Sequence, residues 1–364
     1  MGPEDFLLPK QRYLLSHSVG LSLRSSQQAL NDGFFKAWQE SPAEAWPNWL
    51  RAIEQFRSAL AQLLNAKADD FCPQSNLSSG FSKVLQAIKP KQTRNTILLS
   101  EEDFPSMSFV AQQAQAFGWN FRFLPKDMDH QDILQWQAQL TDDVALVLLT
   151  HVYSNSSLRL DIATLIQHCQ QQGILTVVDI AQSAGIVPID LQHWQADFVL
   201  GSCVKWLCGG PGAGFMWVNP KIVEACEPKD VGWFSHQDPF EFDVHSFRYH
   251  PSALRFWGGT PTVQPYAIAA HSIEYFCNYG VENSQRHNQT LSQQLRSAAG
   301  ASCLTPEYRG GTVVLKFEQQ DKFIAALESK NIQFDQRPTG VRLSPHIYND
   351  QSDIDAVLDC MPSK

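Results

Sequence analysis

The sequence lacks several features that would each point to a different class of protein. No apolar run approaches the ~20 residues of a transmembrane helix, and the first residues, MGPEDFLLPKQRY, lack the basic-then-apolar layout of a signal peptide. Basic residues are in the minority, since 28 Lys and Arg stand against 37 Asp and Glu, for a formal net charge of −9. This charge argues against nucleic acid and anionic membranes as partners.

The eight cysteines are scattered, and they include no CxxC pair and no metal-ligand spacing. Only His236, Asp238, Asp243 and His245 cluster among possible metal ligands, and their spacing is irregular. We therefore expect reduced thiols, no metal site and a cytoplasmic protein.

What is present is an ordinary globular composition, with 43% hydrophobic and 18% charged residues. A chain of 364 residues exceeds the usual size of a single core, so at least two domains are expected. Strand and helix patterns alternate over much of the chain, which predicts an α/β fold with a mostly parallel, doubly wound sheet. The expected division is an N-terminal arm over 1–45, a large domain over 46–262 and a smaller C-terminal α/β domain over 263–364.

Two short buried-strand patterns deliver chemistry-bearing residues to strand ends. The apolar run 174–178 ends on Asp179, and the run 198–201 leads into a turn that holds Lys205. Loops at the carboxyl ends of strands are where ligands usually sit in open α/β sheets. The bland alternatives are that the acid caps a helix and that the lysine is solvated. The following GGPGAG could suggest a dinucleotide loop, but a strand pattern rather than a helix comes after it.

An acid and a lysine in these places suit pyridoxal 5'-phosphate. That cofactor needs a lysine amine to form a Schiff base with its aldehyde, and an acid to keep its pyridine nitrogen protonated. Burial or a nearby cation would lower the pKa of the lysine and free its amine to act as a nucleophile.

The motifs DIAQSAG and SCVKWLCGGPGAG together resemble the class V aminotransferase family of fold-type I pyridoxal-phosphate-dependent enzymes, most closely the kynureninase-like branch. The resemblance rests on the Asp-to-Lys spacing, the Gln three residues after the Asp and the Gly-Pro-Gly bend. It implies pyridoxal phosphate as cofactor, a large cofactor-binding domain with a seven-stranded-type sheet, and Asp179 and Lys205 as catalytic residues. It also implies an amino acid as substrate and a homodimer with shared active sites.

In such relatives a turn at the start of a helix holds the cofactor phosphate, which here implies Ser78 and Ser79. Simple N-capping is the alternative for this turn. An aromatic ring stacks on the cofactor, and Phe104 takes that position, with a core role as the alternative.

Three further cofactor contacts are implied by the resemblance alone. Ser156 would lie near the ring oxygen, with Ser154 as the alternative because the alignment slips by one residue. Gln182 would lie on the ring side, one turn beyond the acid, and Ser202 could donate to the phosphate.

The resemblance assigns other residues to the rim of the site or to the subunit interface. Trp233 and Thr260 would be brought to the cofactor by the aromatic-rich segment, Thr260 reaching the phosphate of the neighbouring subunit. Ser18, in a short N-terminal loop, would line the substrate site, with an arm across a subunit interface as the alternative.

The segment RPTGVRLSPHIYND resembles the terminal signature of the family, in which an arginine holds the substrate α-carboxylate. Arg342 is the residue expected in that role, because a planar guanidinium binds a carboxylate through two hydrogen bonds. Arg337 is closer to a loop and is expected to be solvated.

Four outcomes compete for the function. We expect an aminotransferase of unassigned specificity acting on an α-amino acid. A kynureninase-type hydrolase is the first alternative, although Val204 and Thr260 stand where kynureninases carry tyrosine and asparagine. A cysteine desulfurase or lyase is less favoured, since Phe104 replaces a histidine and no cysteine lies in an evident active-site loop. A non-catalytic module of a transcription regulator would need a DNA-binding segment, and none is evident.

Overall fold

The fold is described from a computed structural model that covers residues 1–362. The last two residues of the expected C-terminal domain, 363 and 364, lie outside the described residues. Twelve β-strands within residues 1–362 form three sheets, and their bounds are β1 Arg12–Tyr13, β2 Phe71–Gln74, β3 Thr96–Leu99, β4 Asn120–Phe123, β5 Val144–Thr150, β6 Leu175–Asp179, β7 Phe198–Ser202, β8 Gly214–Val218, β9 Val313–Leu315, β10 Ile332–Gln333, β11 Asp335–Arg337 and β12 Gly340–Leu343.

The helices alternate with these strands through most of the chain. Within residues 1–362 the α-helices are α1 Ser26–Leu30, α2 Lys36–Glu40, α3 Ala45–Leu63, α4 Leu77–Ala87, α5 Pro105–Gln113, α6 Ile133–Gln139, α7 Ile162–Gln171, α8 Leu191–Trp194, α9 Gln264–Tyr279, α10 Val281–Ala299, α11 Gln320–Ser329 and α12 Gln351–Leu358. None of the helices in these described residues is long and apolar enough to cross a membrane.

A seven-stranded sheet with the order β2-β8-β7-β6-β5-β3-β4 is the centre of the molecule. Its strands run parallel except β8, which is antiparallel to both β2 and β7. β3 and β5 read TILL and VALVLLT and are buried along nearly their whole length, as strands covered by helices on both faces must be. The expected mostly parallel, doubly wound sheet is confirmed.

Helix α3 shows why the helices cover this sheet. Ile53, Phe56 and Leu60 recur at helical spacing and are buried, so the helix presents one apolar stripe to the core. That stripe belongs to the same apolar core as residues of α9, including Ile273 and Phe276. The N-terminal and C-terminal parts of the chain thus contribute to one core beside the large sheet.

The C-terminal part of the chain contains a smaller sheet of its own. β9, β12 and β11 form an antiparallel three-stranded sheet, and a separate apolar core lies between it and helices α10, α11 and α12. The N-terminal segment joins this part, because β1 pairs in parallel with β10. The exact boundaries 45/46 and 262/263 stay predictions.

Candidate active site

The carboxyl ends of the central parallel strands bring the candidate residues together. Thr150 is the last residue of β5 and is paired directly with Asp179, the last residue of β6. Asp179 in turn is paired with Leu200 of β7, and Lys205 follows the end of that strand by three residues. The acid and the lysine therefore lie at one sheet edge because neighbouring parallel strands end there.

Asp179 is a buried acid with few partners. Its Oδ1 atom accepts a hydrogen bond of 2.8 Å from the backbone N–H of Ala181. Burial raises the pKa of Asp179, while that N–H and the positive charge of Lys205 oppose the rise. A cationic group placed against this carboxyl would therefore be strongly stabilised.

Lys205 is partly buried in the same place. Burial lowers the pKa of its amine, the negative charge of Asp179 opposes this effect, and the positive charge of Arg342 adds to it. A lowered pKa increases the fraction of neutral amine, which is the nucleophilic form. The Nζ atom lies 5.9 Å from the centre of the Phe104 ring, and this ring is 46% exposed.

A cavity of about 240 Å³ surrounds these groups. Six of the residues expected from the sequence line it, namely Ser78, Phe104, Asp179, Gln182, Ser202 and Lys205. Apolar side chains, among them Leu77, Met107 and Val152, complete much of its wall. The combination of apolar walls with a few convergent polar groups is typical of a small-molecule site.

The N-terminus of α4 forms one side of the cavity. Its N-cap is Asn76, whose Oδ1 accepts a 2.9 Å hydrogen bond from the backbone N–H of Ser79. Capping is thus performed by an asparagine rather than by either serine. The first N–H groups of the helix, at Leu77 and Ser78, lie at the cavity wall, where a helix favours an anion.

Gln182 and Ser202 are held by neighbours on the opposite side. The Gln182 amide donates to the backbone oxygen of His17 at 3.0 Å and accepts from the indole N–H of Trp206 at 3.2 Å. The Ser202 hydroxyl has only a long contact of 3.5 Å with the backbone N–H of Val204. Ser202 therefore keeps most of its hydrogen-bonding capacity for a ligand.

The N-terminal loop packs directly on the lysine segment. The backbone N–H of Gly20 donates to the oxygen of Val204 at 2.8 Å. A Cβ atom on Gly20 would lie 2.1 Å from the backbone oxygen of Lys205, so no other residue fits there without displacing the loop. The loop thereby fixes the backbone that carries the amine.

Six of the expected residues do not line the cavity of the single chain, and one of them, Arg342, is described below. The Ser79 N–H is used by the helix cap, and Ser18 and Thr260 are exposed to solvent. Trp233 lies in an aromatic cluster, 5.6 Å from Trp46 and 5.7 Å from Phe240. Ser156 lines a separate cavity.

The structure distinguishes the two serines that the sequence left open after β5. Ser154 lines the lysine cavity, whereas the Ser156 hydroxyl accepts from the N–H of Leu158 at 3.3 Å. The next residue, Ser157, has a positive φ of 61°, in the left-handed region. On this placement Ser154, and not Ser156, could contact a ligand.

Arg342 does not line this cavity itself, but it contacts one of the wall residues, Ser154, from the small sheet. It is only 4% exposed, and its Nη1 donates to the backbone oxygen of Ser154 at 2.7 Å. Its Nε and Nη2 donate to the carboxylate of Asp335. Arg337 is more exposed and lies on the outer side of the same carboxylate, at 3.2 Å.

Two residues beside Asp179 were missed by the sequence analysis. Thr150 lines the cavity, and its hydroxyl donates to Asp103 at 2.6 Å. Burial raises the pKa of Asp103 to about 7, and the charge of Asp179 adds to the rise. The signal for Thr150 was available, since it is the first polar residue after a buried strand, as Asp179 is.

The residues present fit pyridoxal phosphate. A partly buried lysine lies over a half-exposed aromatic ring, a buried acid lines the same cavity, and the first residues of a helix form part of its wall. These four features suit, in the same order, the aldehyde, the aromatic ring, the ring nitrogen and the phosphate of the cofactor. Lys205, Phe104, Asp179 and Ser78 are the residues that would hold them.

A buried histidine supports the lysine segment and makes it sensitive to acid. The Nε2 of His346 donates to the backbone oxygen of Trp206 at 2.9 Å, and its Nδ1 accepts from the N–H of Ile347 at 2.7 Å. Both ring nitrogens are thus satisfied in the neutral form, and a second proton would face an N–H donor. Burial lowers the pKa of His346 from 6.5 to about 4.

We expect this histidine to contribute stability that is present above pH 6.5 and is lost as the pH falls to 4. Between pH 6.5 and 4 the unfolded chain binds a proton at this histidine and the folded chain does not. The free energy of unfolding therefore falls by about 3 kcal/mol across this range. Urea unfolding at a series of pH values should show His346→Gln losing about 3 kcal/mol less than the wild type across this range. Equal losses in the two proteins would show that His346 is not held neutral.

Comparison with known families agrees with this geometry. Residues 47–357 match the model of the family described as Aminotransferase class-V. The match spans most of the chain, so the protein belongs to the class V aminotransferase family. The family is pyridoxal-phosphate-dependent, which confirms the fold, the family and the cofactor expected from the motifs.

The similar proteins carry more than one activity in their names. The chain is 25% identical to an uncharacterized aminotransferase of Bacillus subtilis, YcbU, over 93% of this chain and 92% of the relative. It is 32% identical to a kynureninase of Deinococcus radiodurans over 72% of this chain and 65% of that relative. A kynureninase of Shouchella clausii is 26% identical over 93% of this chain and 84% of its own length.

Solved structures share the fold at lower identity. A mutant of C-DES with glycine covalently linked to the pyridoxal phosphate cofactor has a TM-score of 0.89 at 21% identity, over 99% of this chain and 98% of that one. A cysteine desulfurase from Thermococcus onnurineus has a TM-score of 0.86 at 18% identity, over 98% and 95%. At these identities the likeness concerns the fold alone.

Proposed function

We propose that this protein is an aminotransferase that acts on an α-amino acid, with Lys205 and Asp179 as its catalytic residues. The observation that carries the proposal is the placement of a lysine amine and a buried acid in one cavity, with the guanidinium of Arg342 bonded to the backbone of a residue in the cavity wall, Ser154. Bound pyridoxal phosphate supplies an aldehyde that forms Schiff bases with amines and a protonated ring that withdraws electrons. The remaining chemistry belongs to the side chains of this chain.

Each of those side chains has a separate task. Asp179 keeps a proton on the ring nitrogen, because a buried carboxylate strongly favours a cationic neighbour. Lys205 Nζ takes the proton from the substrate Cα as a general base, which requires the neutral amine that burial favours. Arg342 holds the substrate α-carboxylate and so orients the Cα bond that is broken.

The names of several relatives favour a kynureninase-type hydrolase as the second candidate. Two residues speak against it: Val204 precedes the lysine where kynureninases carry tyrosine, and Thr260 replaces their asparagine. A desulfurase is less supported still. No cysteine lines the described cavity, and burial raises the pKa of Cys203 and Cys208, the two nearest Lys205 in sequence.

One experiment separates these activities. The purified protein, loaded with pyridoxal phosphate, is incubated with a panel of amino acids that includes kynurenine and cysteine, without a keto acid. Conversion of the cofactor to pyridoxamine phosphate with release of the matching keto acid is the expected result. Release of anthranilate from kynurenine would establish the hydrolase instead, and release of sulfide from cysteine would establish the lyase.

The role of Arg342 has its own test. We expect Arg342→Ala to lower kcat/KM for active α-amino acids by roughly 10²-fold or more, since a charge-assisted bidentate pair in a desolvated cleft is lost. Arg342→Lys should restore little, because an ammonium cannot present two parallel donors. Amines without a carboxylate and the binding of the cofactor should be nearly unaffected.

Arg337→Ala is the matched control for this test. Arg337, like Arg342, contacts the carboxylate of Asp335, but it does so from the exposed side. Its kcat/KM should stay close to that of the wild type. If Arg342→Ala keeps near-normal kcat/KM for every active amino acid, the carboxylate is held elsewhere, and Arg255 would be examined next.

We further propose a homodimer with shared active sites. The segment 231–247 exposes several large apolar side chains, including Phe242 at 73% and Val244 at 89%, and exposed apolar groups this dense mark an interface. Thr260 is exposed and away from its own cavity, which suits a contact with the partner's phosphate site. A monomer in sedimentation equilibrium at micromolar concentration would contradict this proposal.

We also propose the cytoplasm as the location of the protein. All eight cysteines are free, and six of them are buried, as expected in a reducing compartment. Disulfide-linked peptides found in protein isolated from its own cells would contradict this location.

A further inference from the structure

The carboxylate of Asp335 is paired with Arg342, the residue that the proposed function assigns to binding the substrate carboxylate. Arg342 Nε donates to Asp335 Oδ2 at 2.7 Å, and Nη2 donates to the same oxygen. Nη1 is used by the backbone oxygen of Ser154. The parallel Nε–H and Nη2–H pair of the guanidinium is thus taken by Asp335, and a substrate carboxylate can use that pair only if Asp335 leaves it.

The position of Asp335 in the small sheet would allow it to move away from Arg342. Asp335 begins β11, a three-residue edge strand that pairs only with β12, and its side chain is 28% exposed. Arg342, in contrast, is 4% exposed in β12, the middle strand of the small sheet. A substrate carboxylate could therefore replace Asp335 at Arg342 through a movement of the edge strand alone, without a change in the core of the sheet.

The pairing of Asp335 with Arg342 is also incomplete. Both donors of the arginine, and Arg337 at 3.2 Å, converge on Oδ2, and no hydrogen bond within residues 1–362 reaches Oδ1. A free carboxylate that offers one oxygen to each donor forms the better bidentate geometry. Asp335 therefore holds Arg342 through one oxygen only.

A buried histidine next to this pair has one nitrogen without a partner. His17 is 2% exposed, and its Nδ1 lies 2.6 Å from the hydroxyl of Ser344. Among residues 1–362 its Nε2 has no hydrogen-bond partner, and it lies 3.6 Å from Asp335 Oδ2, beyond hydrogen-bond distance. Burial lowers the pKa of His17 to about 4, so the ring is neutral and can carry its proton on Nε2.

We propose that Asp335 is an internal competitor for the substrate carboxylate, and that the incoming carboxylate gains His17 Nε2–H as a third donor. The proposal rests on the proposed function, because it takes Arg342 as the carboxylate site. A carboxylate can bind Arg342 only while Asp335 is not paired with it. The apparent affinity for any carboxylate is therefore the intrinsic affinity multiplied by the fraction of molecules in which Arg342 is unpaired. His17 favours ligands whose carboxylate fills the position between the imidazole and the guanidinium.

The test uses propionate, a carboxylate without an amine, titrated calorimetrically into the protein loaded with pyridoxal phosphate. We expect Asp335→Asn and Asp335→Ala to bind propionate about tenfold more tightly than the wild type, because the competing charge is gone. Asp359→Asn, which removes an exposed acid paired with Lys330, is the matched control and should bind as the wild type does. Propionamide should not bind to any of them.

Two histidine variants test the third donor in the Asp335→Asn background. A glutamine side chain can place a donor near the position of Nε2, whereas an asparagine can replace only the Nδ1 contact with Ser344. We expect His17→Gln to keep most of the propionate affinity and His17→Asn to lose several-fold. Equal affinity in both would remove His17 from the carboxylate site.

Weaker or unchanged propionate binding in both Asp335 variants would overturn the proposal and make Asp335 a fixed support that orients Arg342. Failure of the underlying function is recognised separately. If borohydride links no cofactor to Lys205 in the same wild-type preparation, the proposed function fails. If the linkage forms normally and propionate affinity does not rise, only the role of Asp335 is wrong.

Discussion

Replacing Lys205 with alanine is expected to abolish turnover and to remove the visible absorption band of the bound cofactor. The proton transfer at Lys205 Nζ alone accounts for about 10²–10⁴-fold in rate, and loss of the covalent attachment adds to this. The fold should survive, because the structural contact of this residue is made by its backbone: Lys205 O accepts from the N–H of Cys208 at 3.0 Å.

A second lysine provides the control for this variant. Lys83 on α4 donates to the backbone oxygens of Phe256 and Trp257 at 2.9 and 2.7 Å and does not line the cavity. We expect Lys83→Met to lower the melting temperature while the cofactor band remains. A Lys205→Ala protein that keeps both the band and its turnover would show that the amine lies elsewhere.

Replacing Asp179 with asparagine should leave the fold intact and lower turnover by roughly 10²-fold or more, as the loss of one preorganised electrostatic partner does. The asparagine oxygen can still accept from the N–H of Ala181. Burial raises the pKa of Asp179, which means that its charge is costly in the cofactor-free protein. The cofactor-free variant should therefore melt at the same temperature as the wild type or higher.

Asp197 is the matched control for Asp179. It is another acid whose pKa is raised by burial at the same sheet, but it accepts from the N–H and hydroxyl of Thr176 at the other end of β6. Asp197→Asn should keep its turnover per folded molecule. If Asp179→Asn also keeps normal turnover, this acid does not serve the ring nitrogen.

The central part of the site could be predicted because strand ends are readable in the sequence. Buried parallel strands appear as short apolar runs, and the first polar residue after each run must lie at the carboxyl edge of the sheet. This rule located Asp179, and the turn after the next run located Lys205. The same rule applied to β5 would have located Thr150.

The loops could not be predicted in the same way. After β5, Ser154 lines the lysine cavity and Ser156, two residues later, lines a different one, and no periodicity in the sequence indicates this change. The pairing of Asp335 with Arg342 depends on the register of β11 and β12, a long-range contact that the sequence does not state. The roles predicted for Trp233 and Thr260, like those of the other site residues, remain predictions.

The most direct measurement is to reduce the protein loaded with pyridoxal phosphate with borohydride, digest it and locate the pyridoxyl group by mass spectrometry. The proposed site predicts a single modified peptide with the group on Lys205, and none in Lys205→Ala. A pyridoxyl group on Lys83 or another lysine, or no stable linkage at all, would contradict the assignment of this cavity as the active site.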